Sequence, residues 1–359
     1  MMRLVLMAMV VMLHVLQLKN ALPVSGNTPD AFRVAGMALE SLCIIAVNCF
    51  VMMSGYLHAH SRFNRRRFLE LVAIVLFYGC GMYLLSYACG LQTEGGLFFL
   101  VQRMLPVSSN HYWFMSCYLI LYLVMPFLNT GAKALEENTF RWLLTALLFF
   151  SCFLKSVIPV NLVTDDMGYG LQWFLCLYLT GLYLRLHVLQ HPDAEPEGNT
   201  LFVSAQRHAG VVYPVCAVLV CVMACALSAF NAGTGKLAWY ASVPFHYNFV
   251  LNYVGALAFL LWFFKRRIGS GTFSSWCARL APHALGVYLF QAHPAWMARF
   301  VEGLSRVTGE ASPDNVPLAL LRIALTVIVL FAAGILIDMI RGALFALFSG
   351  KTSGKGNDR

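Results

Sequence analysis

Charged residues are scarce in this chain. Only 11% of its 359 residues are Asp, Glu, Lys or Arg, whereas 60% are hydrophobic. Soluble domains are about one quarter charged and about half apolar, so the composition excludes an ordinary soluble protein and indicates a polytopic membrane protein. The formal net charge of +9 is then explained by lysines and arginines in the loops on the cytoplasmic side of a membrane. No nucleic-acid partner is expected.

Metal-ligand patterns are also missing. The eleven cysteines include no Cys-x-x-Cys pair and no cysteine–histidine cluster, and they lie in or beside apolar stretches. Cysteines in such surroundings pack as small apolar residues. The sequence therefore predicts neither a zinc site nor a disulfide framework, and no bound metal is expected.

Apolar runs, by contrast, are long and numerous. A hydrocarbon core of about 30 Å needs roughly 20 apolar residues per helix. The sequence predicts an all-α fold, with about ten transmembrane helices in one bundle within residues 1–348 and a short cytoplasmic tail at 349–359. The predicted spans are residues 3–19, 35–57, 69–89, 112–128, 142–160, 168–189, 211–230, 246–264, 280–300 and 316–348.

The first run is short, and its arginine already stands at position 3. This shortness indicates that a natural start lies a few residues upstream. A secretory signal peptide is the alternative interpretation, because a basic residue precedes an apolar run, but no clear small-x-small cleavage site follows.

Basic residues set the predicted orientation. With a cytoplasmic N-terminus, most of the 25 lysines and arginines fall in the inside loops, as the positive-inside rule requires. Both termini are then cytoplasmic and the number of helices is even. We expect a multi-pass protein of the inner, cytoplasmic membrane that contacts the lipid bilayer.

A histidine interrupts the first apolar run. His14 lies eleven residues after Arg3, which places it about 16 Å further along the helix and within about 20° of the same face. Ionisable side chains inside a membrane helix are costly and commonly functional. His14 can accept a proton from a hydroxyl while Arg3 holds an anionic group. A neutral histidine bonded to a neighbouring helix is an equally good interpretation of the position alone.

A second signal is FVMMSGYLHAHSRFNRRRFLEL at residues 50–71. Ser54 belongs to a stretch of small residues that lets a ligand or another backbone come close. The following loop contains Arg65, Arg66 and Arg67, and arginines bind phosphates through paired hydrogen bonds. The loop therefore suits a phosphorylated donor such as coenzyme A, while a topological anchor or an anionic-lipid contact is the simpler alternative.

Further polar side chains indicate a cavity between the helices. Tyrosine hydroxyls inside a span need polar partners, and residues three or four apart share one helix face. Interfacial aromatic belts and helix-packing contacts also account for residues of these types. The candidate cavity residues are Glu40, Trp113, Tyr118, Tyr122, Tyr288, Gln291 and His293.

These stretches, taken in order, resemble the membrane-bound acyltransferase type 3 family over nearly the whole chain. Arg3 and His14 match its pattern of arginine, ten residues and histidine, and AVNCFVMMSGYL with the basic loop after it is similar to its second-helix motif. YWFMSCYLILYLVMPFLN and FLCLYLTGLYLRLH resemble its fourth-helix and sixth-helix patterns. Where the family often has Tyr-Leu-x-His in the ninth helix, this chain has Gln291, and His293 follows two residues later.

The resemblance implies a ten-helix enzyme that moves an acyl group, usually acetyl from acetyl coenzyme A, onto a hydroxyl of a carbohydrate or cell-envelope glycan. It implies that His14 is the catalytic histidine, that Arg3 is its partner, and that the basic loop and Ser54 contact coenzyme A. The histidine either deprotonates the acceptor or is transiently acylated. Acetyl coenzyme A is then a substrate, and no permanently bound cofactor is expected.

A transporter or flippase of a lipid-linked glycan is the alternative function, because scattered intramembrane polar groups also suit transport. The sequence shows no internal repeat and no pair of Gly/Pro-broken helices, which counts against it. A non-catalytic membrane scaffold explains the helices but does not explain the pairing of Arg3 and His14.

Overall fold

The computed structural model describes most of the chain. The described residues are largely helical and contain no β-strand, so the predicted all-α class is confirmed. The predicted tail at 349–359 lies outside them. The described residues are 1–24, 26–90, 112–158, 166–189, 200–266 and 271–348, together with 96, 98 and 101.

Thirteen helices of eight residues or more follow one another along this described part. A π-helical turn, Phe149–Phe153, and one further helical turn extend α6, and another π-helical turn, Leu184–Val188, extends α7. The thirteen helices are α1 (Met2–Leu18), α2 (Ala31–Cys43), α3 (Ala46–His58), α4 (Arg65–Ala88), α5 (Trp113–Ala134), α6 (Glu137–Leu148), α7 (Leu171–Tyr183), α8 (Thr200–Thr234), α9 (Val250–Lys265), α10 (Thr272–Leu280), α11 (Ala284–Gln291), α12 (Pro294–Thr308) and α13 (Val316–Phe348).

Seven stretches of the described chain are long and apolar enough to cross a membrane. The polytopic class is therefore confirmed, while the number of such spans differs from the ten predicted. One reason is length, because α1 has 17 residues where a full span needs roughly 20. The seven stretches are Ala31–His58, which joins α2 to α3, Arg65–Ala88, Trp113–Ala134, Glu137–Val157, Arg207–Thr234, Trp239–Lys265 and Val316–Leu347.

The predicted ninth span, residues 280–300, is not one continuous helix. Helix α11 ends at Gln291 and α12 begins at Pro294. Proline cannot donate to the helical hydrogen-bond ladder, and its ring drives the preceding residue to an extended conformation. His293 accordingly has a ψ of 112°. The break occurs where Gln291 and His293 are buried, with 2% and 1% exposure, so the prediction of an uninterrupted helix is wrong here.

Helix α1 lies inside the bundle. It packs against α2, α3, α11 and α13, and Leu6, Val11, Val15 and Leu16 are fully buried along it. Because protein surrounds this helix on several sides, its length does not have to match the thickness of the hydrocarbon core. The interior position also brings its two ionisable side chains next to other helices.

Helices α3 and α7 cross at very short range. A Cβ atom added to Gly55 would lie 2.2 Å from the carbonyl oxygen of Tyr178, and one added to Gly181 would lie 2.0 Å from that of Met52. Backbones approach this closely only where both helices carry glycine or another small residue. The Ser-Gly-Tyr stretch of α3 is therefore first of all a packing feature, and this packing fixes the position of Ser54.

Candidate functional site

A cavity of about 460 Å³ lies between α1, α3, α4, α5, α11 and α13. Arg3 and His14 both line it, as their predicted common face requires. Their eleven-residue separation corresponds to about 16 Å along α1. The cavity therefore extends over roughly half the thickness of a hydrocarbon core of about 30 Å.

Arg3 and Arg67 both lie near His58 and Tyr118, and we call the end of the cavity that these two arginines line the arginine end. Arg67 forms an ion pair with Glu70 at 2.9 Å. The Arg3 side chain makes no hydrogen bond and no ion pair to any residue that the structure describes. A guanidinium with free donors at a cavity mouth is suited to binding a carboxylate or a phosphate.

A polar strip runs along α3 beside the arginine end. The Ser54 hydroxyl donates to the carbonyl oxygen of Phe50 at 3.1 Å and lies 3.3 Å from the Tyr118 hydroxyl. One turn later, Nδ1 of His58 donates to the carbonyl oxygen of Ser54 at 3.0 Å. Ser54, His58 and Tyr118 all line the cavity, so this wall offers several groups that can bind an elongated polar ligand.

The far end of the cavity is aromatic. The rings of Trp113 and Tyr247 lie 5.7 Å apart, centroid to centroid. Tyr122, nine residues after Trp113 on α5, donates to the carbonyl oxygen of Asn64 at the start of α4, at 3.4 Å. Nine residues of helix measure about 14 Å, so α5 connects the aromatic end to the arginine end.

His14 lies beside Gln291, at the break that ends α11. The side-chain amide of Gln291 approaches the His14 imidazole. Yet among the described residues neither amide atom of Gln291 nor Nδ1 of His14 has a hydrogen-bond partner of good geometry. A buried polar group without a partner costs about 1–3 kcal/mol. Such groups therefore mark a place where a polar part of a substrate can bind.

A buried ionic network around Asp338 forms another part of the cavity wall. Asp338, which is 1% exposed, accepts hydrogen bonds from Nε and Nη2 of Arg341 at 2.6 and 2.9 Å. It also accepts from the Tyr78 hydroxyl at 3.0 Å and from Nδ1 of His283 at 2.8 Å. Gly286 makes room for this carboxylate, because a Cβ there would lie 2.1 Å from Oδ1.

Most of the predicted site residues meet in this one cavity. Arg65 and Arg66 do not line it and are exposed in the first turn of α4, and Glu40 is buried in α2 outside it. Gln291 and His293 are buried at the helix break and are not part of the wall. The predicted residues that do line the cavity are Arg3, His14, Ser54, Arg67, Trp113, Tyr118, Tyr122 and Tyr288.

Sequence reasoning missed Asp338 and Arg341, although a signal for them exists. Asp338 is the only acidic residue between positions 316 and 348 of the sequence, so the rule that singles out His14 as an ionisable residue in a membrane helix applies to it equally. Arg341 follows within one turn. His58 also lines the cavity, and its signal is weaker because it stands at the end of a helix, beside a loop.

A family model described as an acyltransferase domain matches residues 1–338. This match covers nearly the whole chain and contains every cavity-lining residue except Arg341. No curated protein and no solved structure matches the chain.

Proposed function

Because the chain belongs to the membrane-bound acyltransferase type 3 family, we propose that it moves an acetyl group from acetyl coenzyme A to a hydroxyl of a cell-surface glycan or exopolysaccharide. Membrane acyltransferase activity follows from the family itself. The observation that supports the finer proposal is one cavity that joins three arginines to His14. The phosphates of the donor bind at the arginine end, and its thioester reaches His14.

The reaction needs a base for the acceptor hydroxyl. The oxygen of the acceptor hydroxyl attacks the thioester carbonyl carbon, and the carbon–sulfur bond breaks. His14 takes the hydroxyl proton, which ends on the departing thiolate, so that the products are an ester and coenzyme A. Alternatively, His14 attacks the thioester first and carries the acyl group to the acceptor. In both routes the amide of Gln291, which lies beside His14 but outside the cavity wall, orients the imidazole.

The proposed orientation follows from the donor. Acetyl coenzyme A is a cytoplasmic metabolite, so the arginine end opens to the cytoplasm and both termini lie on that side of the inner membrane. The acceptor then enters from the aromatic end, past Trp113 and Tyr247. Pockets that combine apolar or aromatic walls with a few polar groups are typical of ligand sites.

Loss of the gene is expected to remove O-acetyl groups from the surface glycan without stopping its export, because the proposed reaction modifies the glycan and does not move it. Mass spectrometry of the glycan from cells with and without the gene reports both the acyl type and its position. The amount of exported glycan is measured in the same cells. Unchanged acetylation in the deletion strain would contradict the proposal.

A flippase for a lipid-linked glycan remains the second candidate. The break between α11 and α12, with Gln291 and His293 buried at it, favours it, since transporters bind substrates at broken membrane helices. The same deletion experiment separates the two functions. Lost export with normal acetylation of the remaining glycan would favour the flippase.

Replacing Arg67 with alanine is expected to weaken the binding of acetyl coenzyme A at least tenfold. Hydrogen bonds to charged groups contribute about 1.5–3 kcal/mol, and about 1.4 kcal/mol corresponds to a tenfold change in Kd. Arg65→Ala is expected to have a smaller effect because Arg65 does not line the cavity. Titration calorimetry on purified protein in detergent measures both values.

Arg299→Ala is the matched control for this experiment. Arg299 pairs with Glu302 three residues later on α12, just as Arg67 pairs with Glu70 three residues later on α4, but it lies outside the cavity. Its Kd is expected to match that of the unmodified protein. Equal weakening by Arg65→Ala and Arg67→Ala would show that the loop acts through its overall charge.

A further inference from the structure

We infer that Arg341, held in place by Asp338, binds a phosphate group of the donor in the cavity that it lines together with Arg3 and Arg67. Neither residue belongs to the sequence motifs that led to the proposed function. The inference rests on that function, since it concerns the same donor. It assigns a binding role to a side chain on α13, the helix farthest along the chain from Arg3.

Asp338 is fully occupied by its four hydrogen-bond donors. A carboxylate offers about four lone pairs on its two oxygens. Oδ1 receives Nε of Arg341 and the Tyr78 hydroxyl, while Oδ2 receives Nη2 of Arg341 and Nδ1 of His283. Because every acceptor position is used, this carboxylate presents no free oxygen lone pair to an anion in the cavity.

Arg341, by contrast, keeps free donors. A guanidinium has five N–H groups, and the two hydrogen bonds to Asp338 use one on Nε and one on Nη2. The guanidinium also interacts with the Tyr78 hydroxyl, so at least two N–H groups have no further partner among the residues that the structure describes, and Arg341 lines the cavity. Its guanidinium carbon lies 5.0 Å from the centre of the Phe345 ring, a cation–π contact that holds the plane of the group. The side chain is therefore oriented before any ligand binds.

A guanidinium such as that of Arg341 suits a phosphate better than a thioester, because only the phosphate is charged. Arg341 lines the same cavity as Arg3 and Arg67, and the three side chains come from three different helices. His14 lies about 16 Å from Arg3 along α1, so a ligand whose thioester reaches His14 is long enough for its charged end to meet arginines of the cavity wall. Glu70 and Asp338 each balance one arginine, which leaves Arg3 as the cation that an entering phosphate neutralises.

A purely structural role is the competing explanation. The network joins Tyr78 on α4, His283 just before α11, and Asp338 on α13, and a buried ion pair can serve only to fix such helices together. Breaking one partner of a buried pair is strongly destabilising. An experiment must therefore separate weaker phosphate binding from a general loss of structure.

The experiment compares two donors that differ in their phosphates. Acetyl coenzyme A carries the nucleotide and its phosphates, whereas acetyl pantetheine carries the same thioester arm without them. We expect Arg341→Gln to weaken the binding of acetyl coenzyme A at least tenfold and to leave the Kd of acetyl pantetheine unchanged. The double variant Asp338→Asn/Arg341→Gln, which leaves no unpaired charge, is expected to give the same result if the single variant does not fold.

Arg306→Gln is the matched control, because Arg306 pairs with Glu302 at 2.7 Å on the exposed face of α12. It is expected to bind both donors as the unmodified protein does. If Arg341→Gln weakened the binding of both donors equally, or did not weaken the binding of acetyl coenzyme A, the inference would be overturned while the proposed function stands. Failure of the unmodified protein to bind acetyl coenzyme A would overturn the proposed donor and this role of Arg341 together.

Discussion

Replacing His14 with alanine is expected to lower acyl transfer at least a hundredfold while the protein stays folded in the membrane. A positioned general base contributes about 10²- to 10⁴-fold to a rate, and an acylated histidine cannot be replaced by alanine at all. His14 stands on a cavity wall, so its removal enlarges a cavity that already exists and leaves the core intact. The measurement is transfer of labelled acetyl from acetyl coenzyme A to the purified glycan.

The control for this variant is His60→Ala. His60 is exposed and does not line the cavity, and its substitution removes the same imidazole. Equal donor affinity in the His14 variant and the unmodified protein separates chemistry from binding. Normal acetylation in a stable His14→Ala protein would rule out a catalytic histidine at this position.

The bounds of several helices can be predicted from the local sequence. The last apolar run predicts a helix over 316–348, and the structure has Val316–Phe348. The first apolar run predicts a helix over 3–19, and the structure has Met2–Leu18. The break at Gln291 was missed because hydropathy averages over a window, in which one proline at position 294 barely lowers the mean. Its signal is conformational, through the residue before proline.

The site residues also fall into two groups: those whose relative positions follow from one helix, and those whose positions depend on other structural details. Arg3 and His14 share one helix, so the rotation of 100° per residue is enough to place them on one face. Which loop arginine enters the cavity depends instead on where α4 begins. The predicted span starts at 69, whereas the helix starts at Arg65, with the Asn64 side chain accepting from the Arg67 backbone N–H. Consecutive arginines in that first turn point in different directions, and Arg67 is the one that lines the cavity.

That Arg341 lines the same cavity as Arg3 and Arg67 could not be predicted from the sequence for a different reason. The three arginines stand on α1, α4 and α13, and whether they line one cavity depends on how these helices pack. Packing in a membrane is decided by close contacts of small residues and by interhelical hydrogen bonds rather than by a hydrophobic pattern. Gly286, which admits the Asp338 carboxylate, is such a contact.

Replacing Gly181 with leucine is expected to prevent the native packing of α3 on α7 and to destabilise the protein by about 3 kcal/mol or more. Even a Cβ atom at this position would lie 2.0 Å from the carbonyl oxygen of Met52 and 2.8 Å from the backbone nitrogen of Tyr56. Backbone atoms cannot turn aside as the end of a flexible side chain can, so the helices must separate. Thermal unfolding in detergent and the yield of monodisperse protein measure the loss.

Gly131→Leu is the matched control, since a Cβ at Gly131 on α5 meets nothing within 4 Å and the residue is exposed. It is expected to leave both the yield and the unfolding temperature unchanged. If Gly181→Leu were equally well tolerated, α3 and α7 could not cross as closely as the structure has them. Ser54 is one residue before Gly55, the glycine that faces Gly181. Its position on the cavity wall would then also lack support, because the contact between the two glycines holds that stretch of α3 against the cavity.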